Sequence, residues 1–282
     1  VTNSEIVRAL SDKPEGPYSF VEIVLPARGR QYWDGLMTHN PTIHKVDDTY
    51  VLYYIGTTYS GHIPNSKKIA TKKQKKEARA NQRIGIATAS SLKGPWKRRD
   101  KPILEPRKGK WDNLFTANPA PCIRDDGSVY MIYKSTKDQK SLLKLGAAKA
   151  EYYEGPYKRI IDKPLFDFDC NNNKHVEDPY VWWSGDKYEL IIKDMNGHIC
   201  GEPGGGIHAT SRDGLNWEIS SSPKAYSRKI KWDDGSSEEM VRFERIQLLI
   251  NNQKPEYLFA AVIRKNDNGE FEESGNIAVP LK

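Results

Sequence analysis

The sequence predicts an all-β fold, a five-bladed β-propeller whose first blade is incomplete, and three observations lead there. Four segments share one layout: a strand opening, a hairpin, a third strand of small residues and a closing Gly-Pro-aromatic turn or its equivalent. The closing signatures are Glu15-Gly16-Pro17-Tyr18, Lys93-Gly94-Pro95-Trp96, Glu154-Gly155-Pro156-Tyr157 and Asp213-Gly214-Leu215-Asn216-Trp217. Their glycines stand 78, 61 and 59 residues apart. The hairpins ahead of them also align, beginning at Asn40, Asn118, Glu177 and Glu244. Four-stranded units repeating about every 60 residues, each with an inner strand that starts at a common axis, describe a propeller. The alternative is two β-sandwich domains, but nothing resembles a linker at mid-chain and the repeat runs through the place where one would fall.

Taken in order, residues 1–30 supply only the outer half of a blade: Glu5–Leu10, then Gly16-Pro17-Tyr18. Its inner strands would lie upstream of Val1 or come from another chain that completes the ring. Four further blades follow at about 31–105, 106–168, 169–228 and 229–282, all in one domain. The strongest single stretch is His175-Val176-Glu177-Asp178-Pro179-Tyr180-Val181-Trp182-Trp183. Here an acidic pair and a proline open a β-branched and aromatic run, and a Ser184-Gly185-Asp186 turn leads into a second run. The third strand of the last blade is expected at SGNIAVPL. Trp33-Asp34 and Trp111-Asp112 each stand seven residues ahead of a hairpin, and Trp232-Asp233 precedes the last one at a longer distance.

Bulk properties narrow the partners. The 282 residues suffice for a full core, and mean hydropathy is −0.73. No run approaches the roughly 18 apolar residues of a membrane helix. The net charge of +7 is local: residues 66–83, within a basic insertion at 60–83, carry eight Lys/Arg and one Glu, and the remainder is neutral. Such a run reads as a solvated helix or lip, or as a contact for an acidic ligand or a second subunit, rather than as a nucleic-acid surface. Cys122, Cys170 and Cys200 are odd in number and lack metal-ligand spacing, so buried thiols are expected. The first residue is Val, which fits a processed start. A removed signal peptide would make the protein periplasmic or secreted, and the compartment stays open, with the cytoplasm as the alternative.

Strand starts at the axis would bring together side chains distant in sequence. The candidates are His39 and Asn40, Asn118, Glu177 and Asp178, and Glu244 and Arg245. Lys134, Lys193, Asp194, Glu202 and His208 join them from second strands and facing loops. Trp33 and Asp34 are further candidates, although propeller aromatics also pack between blades. Lys134, Lys193 and Arg245 lie where apolar residues are expected. Either each pairs with a carboxylate, or together they read an anionic ligand.

These residues carry a family resemblance over essentially the whole chain. Val176-Glu177-Asp178-Pro179 and the Asn-Pro strand starts resemble the five-bladed propeller glycosidases of glycoside hydrolase family 43. The resemblance implies a general acid at Glu177. A second carboxylate that tunes it would stand about one blade earlier, where this chain has Asn118, 59 residues ahead of Glu177. The general base of the family would fall in the missing half-blade, with Asp178, Asp34 and Glu244 as substitutes. Asn40 and Asn118 depart from the Asp-Pro pattern, and an amide accepts no proton. The activity that the resemblance implies is an exo-acting glycoside hydrolase that releases a terminal sugar from an oligo- or polysaccharide, with Glu177, Asp178 and Asn118 catalytic. A non-catalytic glycan-binding propeller is the alternative, and a phosphorylase the third. No cofactor is required; a structural Ca2+ near His208 is the one metal the resemblance suggests.

Overall fold

The computed structural model describes residues 3–63, 70–166, 175–266, 268 and 272–281. Cys170 and the start of the basic insertion fall partly or wholly outside them. The chain separates into two compact units, Val1–Ser11 with Pro17–Pro164, and Asp12–Gly16 with Leu165–Lys282.

The first unit holds a two-stranded sheet and two four-stranded antiparallel blades. The small sheet pairs β1 (Val7–Leu10) with β2 (Ser19–Ile23). The first blade runs in chain order from β3 (Met37–Val46) and β4 (Thr49–Thr57) to β5 (Arg83–Ala89) and β6 (Lys97–Arg98). The second runs from β7 (Ala117–Ile123) and β8 (Val129–Ser135) to β9 (Lys144–Ala150) and β10 (Lys158–Arg159). β4 (TYVLYYIGT) and β8 (VYMIYKS) are β-branched and aromatic, and both are buried on both faces. Tyr53 and Ile86 of one blade meet Met131 and Tyr133 of the other in one cluster. Across it the Tyr53 and Tyr157 hydroxyls hydrogen-bond at 2.8 Å.

The insertion between β4 and β5 carries a helix, α1 (Lys72–Ala80). Its sequence, KKQKKEARA, is made almost wholly of strong helix formers. Thr71 caps its start reciprocally with Gln74: the Thr71 hydroxyl accepts from the Gln74 N–H, and the Gln74 side chain accepts from the Thr71 N–H.

The second unit holds a blade of β11 (Val176–Trp183), β12 (Tyr188–Asp194), β13 (Gly206–Ser211) and β14 (Glu218–Tyr226). A small ribbon follows, β15 (Lys229–Lys231) with β16 (Ser237–Glu239). A three-stranded blade of β17 (Arg242–Asn251), β18 (Lys254–Lys265) and β19 (Glu272–Pro280) completes it. β19 contains the expected third strand. Met240, Phe243, Ile246 and Leu248 form a core with Ile191, Leu258, Ala260 and Val262.

The described residues thus form four blades rather than five. Only two strands precede the first complete blade, and β1 and β2 close no larger sheet. The repeated Gly-Pro turns mark where the third strand hands over to the fourth. Gly94 and Gly155 sit at φ +80° and +86°, a conformation that favours glycine.

Candidate functional site

Every inner strand opens with the same backbone irregularity. Pairing slips between His39 and Thr42, Ala117 and Ala120, Glu177 and Tyr180, and Glu244 and Gln247. At each slip one residue is left-handed: Asn40 (φ 50°), Asn118 (φ 49°), Asp178 (φ 51°) and Arg245 (φ 54°). Asn and Asp enter this region with help from their own short side chains. Arg245 has no such help, and its placement costs about 1 kcal/mol.

This shared geometry corrects the alignment read from the sequence. Asn118 is equivalent to Asp178, whereas Glu177 is equivalent to His39, Ala117 and Glu244. The sequence pattern sets Asn40 and Asn118 opposite Glu177, one residue out of step. A bulge shifts side chains between faces, so matching the hairpins by their first polar residue falls one residue out, whereas the proline that follows Asn40, Asn118 and Asp178 marks the register.

In the first unit these positions are amides. The Asn40 side-chain N–H donates to the Asn118 carbonyl at 3.0 Å, joining neighbouring blades. His39 is buried and hydrogen-bonds Gln82 at 3.2 Å. Gln82 is not among the sequence candidates, because only its place just after α1 brings it there. Lys134 lies opposite Ala117 on β8, with its ammonium 6.0 Å from the Phe115 ring centre.

In the second unit the same positions are charged. The Arg245 N–H donates to Asp178 at 3.1 Å, and its guanidinium Nη1 lies 3.6 Å from the other Asp178 oxygen. Glu177, half-buried, pairs across the strand with Lys193. Lys193, itself buried, reaches Glu244 at 2.6 Å. Burial pushes the Glu244 carboxyl above its ordinary value; Lys193 opposes the shift, and the Asp178 and Glu177 carboxylates add to it. Nε and Nη2 of Arg245 are buried and find no hydrogen-bond partner among the described residues, on a side chain only 13% exposed.

Several sequence candidates are committed elsewhere. Asp34 is fully enclosed: Arg28 donates to it at 2.7 Å, Tyr54 at 2.7 Å, and Arg98 lies 3.5 Å away. Asp112 repeats the arrangement with Arg107, Arg159 and Tyr133 at 2.7–2.9 Å. Trp33 stacks on Tyr54 with ring centres 5.7 Å apart, and Trp111 on Tyr133 at 6.0 Å. Gly85 makes room, since a Cβ there would meet the Trp33 ring at 2.4 Å. Asp34 and Asp112 thus fasten their blades, because two cations and a tyrosine surround each carboxylate. Trp232-Asp233 differs: the Trp232 N–H donates to Glu238 at 3.2 Å, and Asp233 is exposed.

Asp194 accepts from the N–H groups of Gly197, Ile199 and Cys200 at 2.8–2.9 Å and staples the loop after β12. Burial works to raise the Glu202 carboxyl, but hydrogen bonds from the Arg228 N–H, Lys224 and Ser227 outweigh it and hold Glu202 below the usual range. Both carboxylates are committed to chain geometry. His208 lies on β13, two strands from β11, and bonds Ser220 and Glu189 at 2.6 Å each. No cluster of three or more potential ligands occurs among the described residues, so nothing here adds support to a calcium site at His208. Burial pushes the Cys122 thiol up to about 12.

No family model matches the sequence, and no curated protein does. Solved structures do match. Zg3597, a family 117 glycoside hydrolase of the marine bacterium Zobellia galactanivorans, aligns over 97% of this chain and 70% of its own, with a TM-score of 0.63 at 16% identity. A thermostable family-43 glycoside hydrolase aligns over 94% and 78%, with a TM-score of 0.60 at 14% identity. A member of the family 130 mannoside phosphorylases and hydrolases aligns over 85% and 66%, at 0.52 and 15%. The chain has the all-β propeller fold of these enzymes. Families 117, 43 and 130 share it, so the fold does not single out family 43.

Proposed function

We propose that the chain is an exo-acting glycoside hydrolase that removes an anionic terminal sugar, with its chemistry at the starts of β11 and β17. The observation that carries this reading is the cluster of Glu177, Asp178 and Glu244 with Lys193 and Arg245 inside one unit. Glycoside cleavage needs one carboxyl held protonated near neutral pH and another kept ionised. Three carboxyls packed together under partial burial favour that division, because like charges resist ionising at once.

Glu177 is the proton donor in this reading: it is half-buried at the start of β11, where its charge and that of Glu244 oppose one another. Asp178, fixed by the Arg245 N–H, orients its neighbours. The buried donors of Arg245 fit a carboxylate or sulfate, which a guanidinium grips with two parallel hydrogen bonds. Lys193, buried beside Glu244, contributes positive charge. Asn118, bonded to Asn40, holds an amide in place rather than exchanging a proton.

One observation favours Glu244 as the donor instead, namely its raised pKa. A non-catalytic glycan-binding propeller is favoured by the amides at Asn40 and Asn118. Product release from neutral, uronate-bearing and sulfated oligosaccharides, with and without phosphate, separates these readings. Release of a monosaccharide by the parent and its loss in Glu177→Gln, with stability unchanged, supports the hydrolase. Loss only in Glu244→Gln moves the acid. Binding without release by any form leaves a glycan-binding module, and release that requires phosphate makes it a phosphorylase.

A further inference from the structure

The basic insertion is not absorbed by the proposed chemistry, yet it is built onto the first unit rather than hung from it. β3 and β4 pair Met37 with Thr57, and β4 and β5 pair Gly56 with Arg83. α1, which joins β4 to β5, therefore emerges at the end of the blade where His39 and Asn40 lie. Ala78 packs with Leu36, Met37 and Tyr59. The Thr57 hydroxyl donates to the Ala78 carbonyl at 2.9 Å, and the Asn81 side chain donates to the Thr58 carbonyl at 2.8 Å. The Gln139 side chain donates to the Lys76 carbonyl at 3.1 Å, tying the helix to the second blade as well. Gln82, two residues past the helix, bonds His39.

The outer face of this fixed helix carries Lys72, Lys73, Lys75 and Lys76, all exposed. They sit at helical neighbours, where like charges repel. No carboxylate offsets them: among the described residues none of the four makes an ion pair, and Glu77 is turned toward the Ser60 N–H and hydroxyl at 2.8 and 2.9 Å. Lys72, Lys73 and Lys76 line a shallow open groove with Glu77. Repulsion held in place by packing is relieved by a polyanion. Residues 66–83 account for the whole net charge of +7, and the remainder of the chain is neutral in sum.

We propose that the lysine face of α1 is an outer binding surface for an anionic glycan chain, holding charged sugars beyond the terminal one. This rests on the reading of the protein as glycan-acting. A nucleic acid fits less well, since no aromatic residue is interleaved with the lysines to stack on bases.

The test measures equilibrium binding of the full chain to polygalacturonate and dextran sulfate, with dextran as the neutral control, across a salt series. Both anionic polymers should bind, weakening as salt rises, and dextran should not. The combined variant Lys72→Glu, Lys73→Glu, Lys76→Glu should weaken anionic binding by about tenfold or more and flatten the salt dependence. Circular dichroism should show the helix retained, since glutamate is also a good helix former. Lys93→Glu with Lys97→Glu, exposed at the turn between β5 and β6, should leave binding as in the parent. Equal affinity of the helix variant and the parent overturns the proposal, as does equal loss in the distant variant. Tighter binding to duplex DNA or to phosphatidylserine vesicles than to either anionic glycan overturns it in favour of those partners. Because the readout is binding, helix-dependent affinity without any sugar release would remove the hydrolase reading alone.

Discussion

The starts of the blades in the two units share a backbone and differ in chemistry. Asn40 and Asn118 in the first unit, and Asp178 and Arg245 in the second, occupy the same left-handed bulge and link to their neighbours in matching pairs. In the first unit the link is amide to amide and neutral. In the second it is carboxylate to arginine, flanked by Glu177, Lys193 and Glu244. The bulge is thus a positioning device that is indifferent to charge, and reactivity depends on which side chains are loaded onto it.

Substitutions can break or sharpen that contrast. The largest expected effect is on the reaction: Glu177→Gln should lower turnover by about 10²–10⁴-fold, the usual contribution of a general acid, with the unfolding midpoint unchanged. The amide variants Asn40→Asp and Asn118→Asp should leave turnover within the same order as the parent, since both belong to the first unit and the carboxyls assigned the chemistry belong to the second.

Next in size is a structural effect confined to the first unit. Asp112→Ala removes a fully buried carboxylate from between two partly exposed arginines and should destabilise by about 3 kcal/mol in denaturant titration. Asp34→Ala should behave alike, because it faces Arg28 and Arg98 in the same arrangement. Asp233→Ala, outside any such cage, should change stability by less than about 0.5 kcal/mol.

Arg245→Ala should act on recognition. If the guanidinium grips an anionic group, kcat/KM for the anionic substrate should fall by about 1.5–3 kcal/mol of binding, while neutral substrates change little. Uniform loss across substrates would instead make Arg245 a pin for Asp178.

The smallest effect concerns pH. A carboxyl whose folded pKa is raised contributes stability below its unfolded pKa and loses it as pH rises through the folded value. Glu244 should therefore make stability decline above its ordinary value of 4.5, and Glu244→Gln should flatten that decline. An unchanged stability–pH curve would show that Lys193 cancels the effect of burial.

Much of the architecture was legible in the chain itself. Repeated hairpins, small-residue third strands and Gly-Pro turns identified the blades, because strand alternation and left-handed glycines are local requirements. Residues 1–30 do carry strands, but β1 and β2 pair only with each other, and the fifth blade that the sequence suggests does not appear among the described residues. The candidate site was legible only in part. Glu177, Asp178, Glu244 and Arg245 stand at strand starts as expected. Asp34, however, looked like a site carboxylate because Arg28 and Arg98, which enclose it, lie on other elements. Asp194 and Glu202 misled in the same way, each engaged by backbone N–H groups that only loop folding brings near.

The sequence by itself determined the all-β repeat, the confinement of net positive charge to the insertion and the acidic opening of β11, each set by neighbours along the chain. Tertiary structure alone decided the cages around Asp34 and Asp112 and the meeting of Lys193 with Glu244. Those depend on which strands lie side by side, and a neighbouring blade changes a side chain's surroundings without changing a letter of the chain.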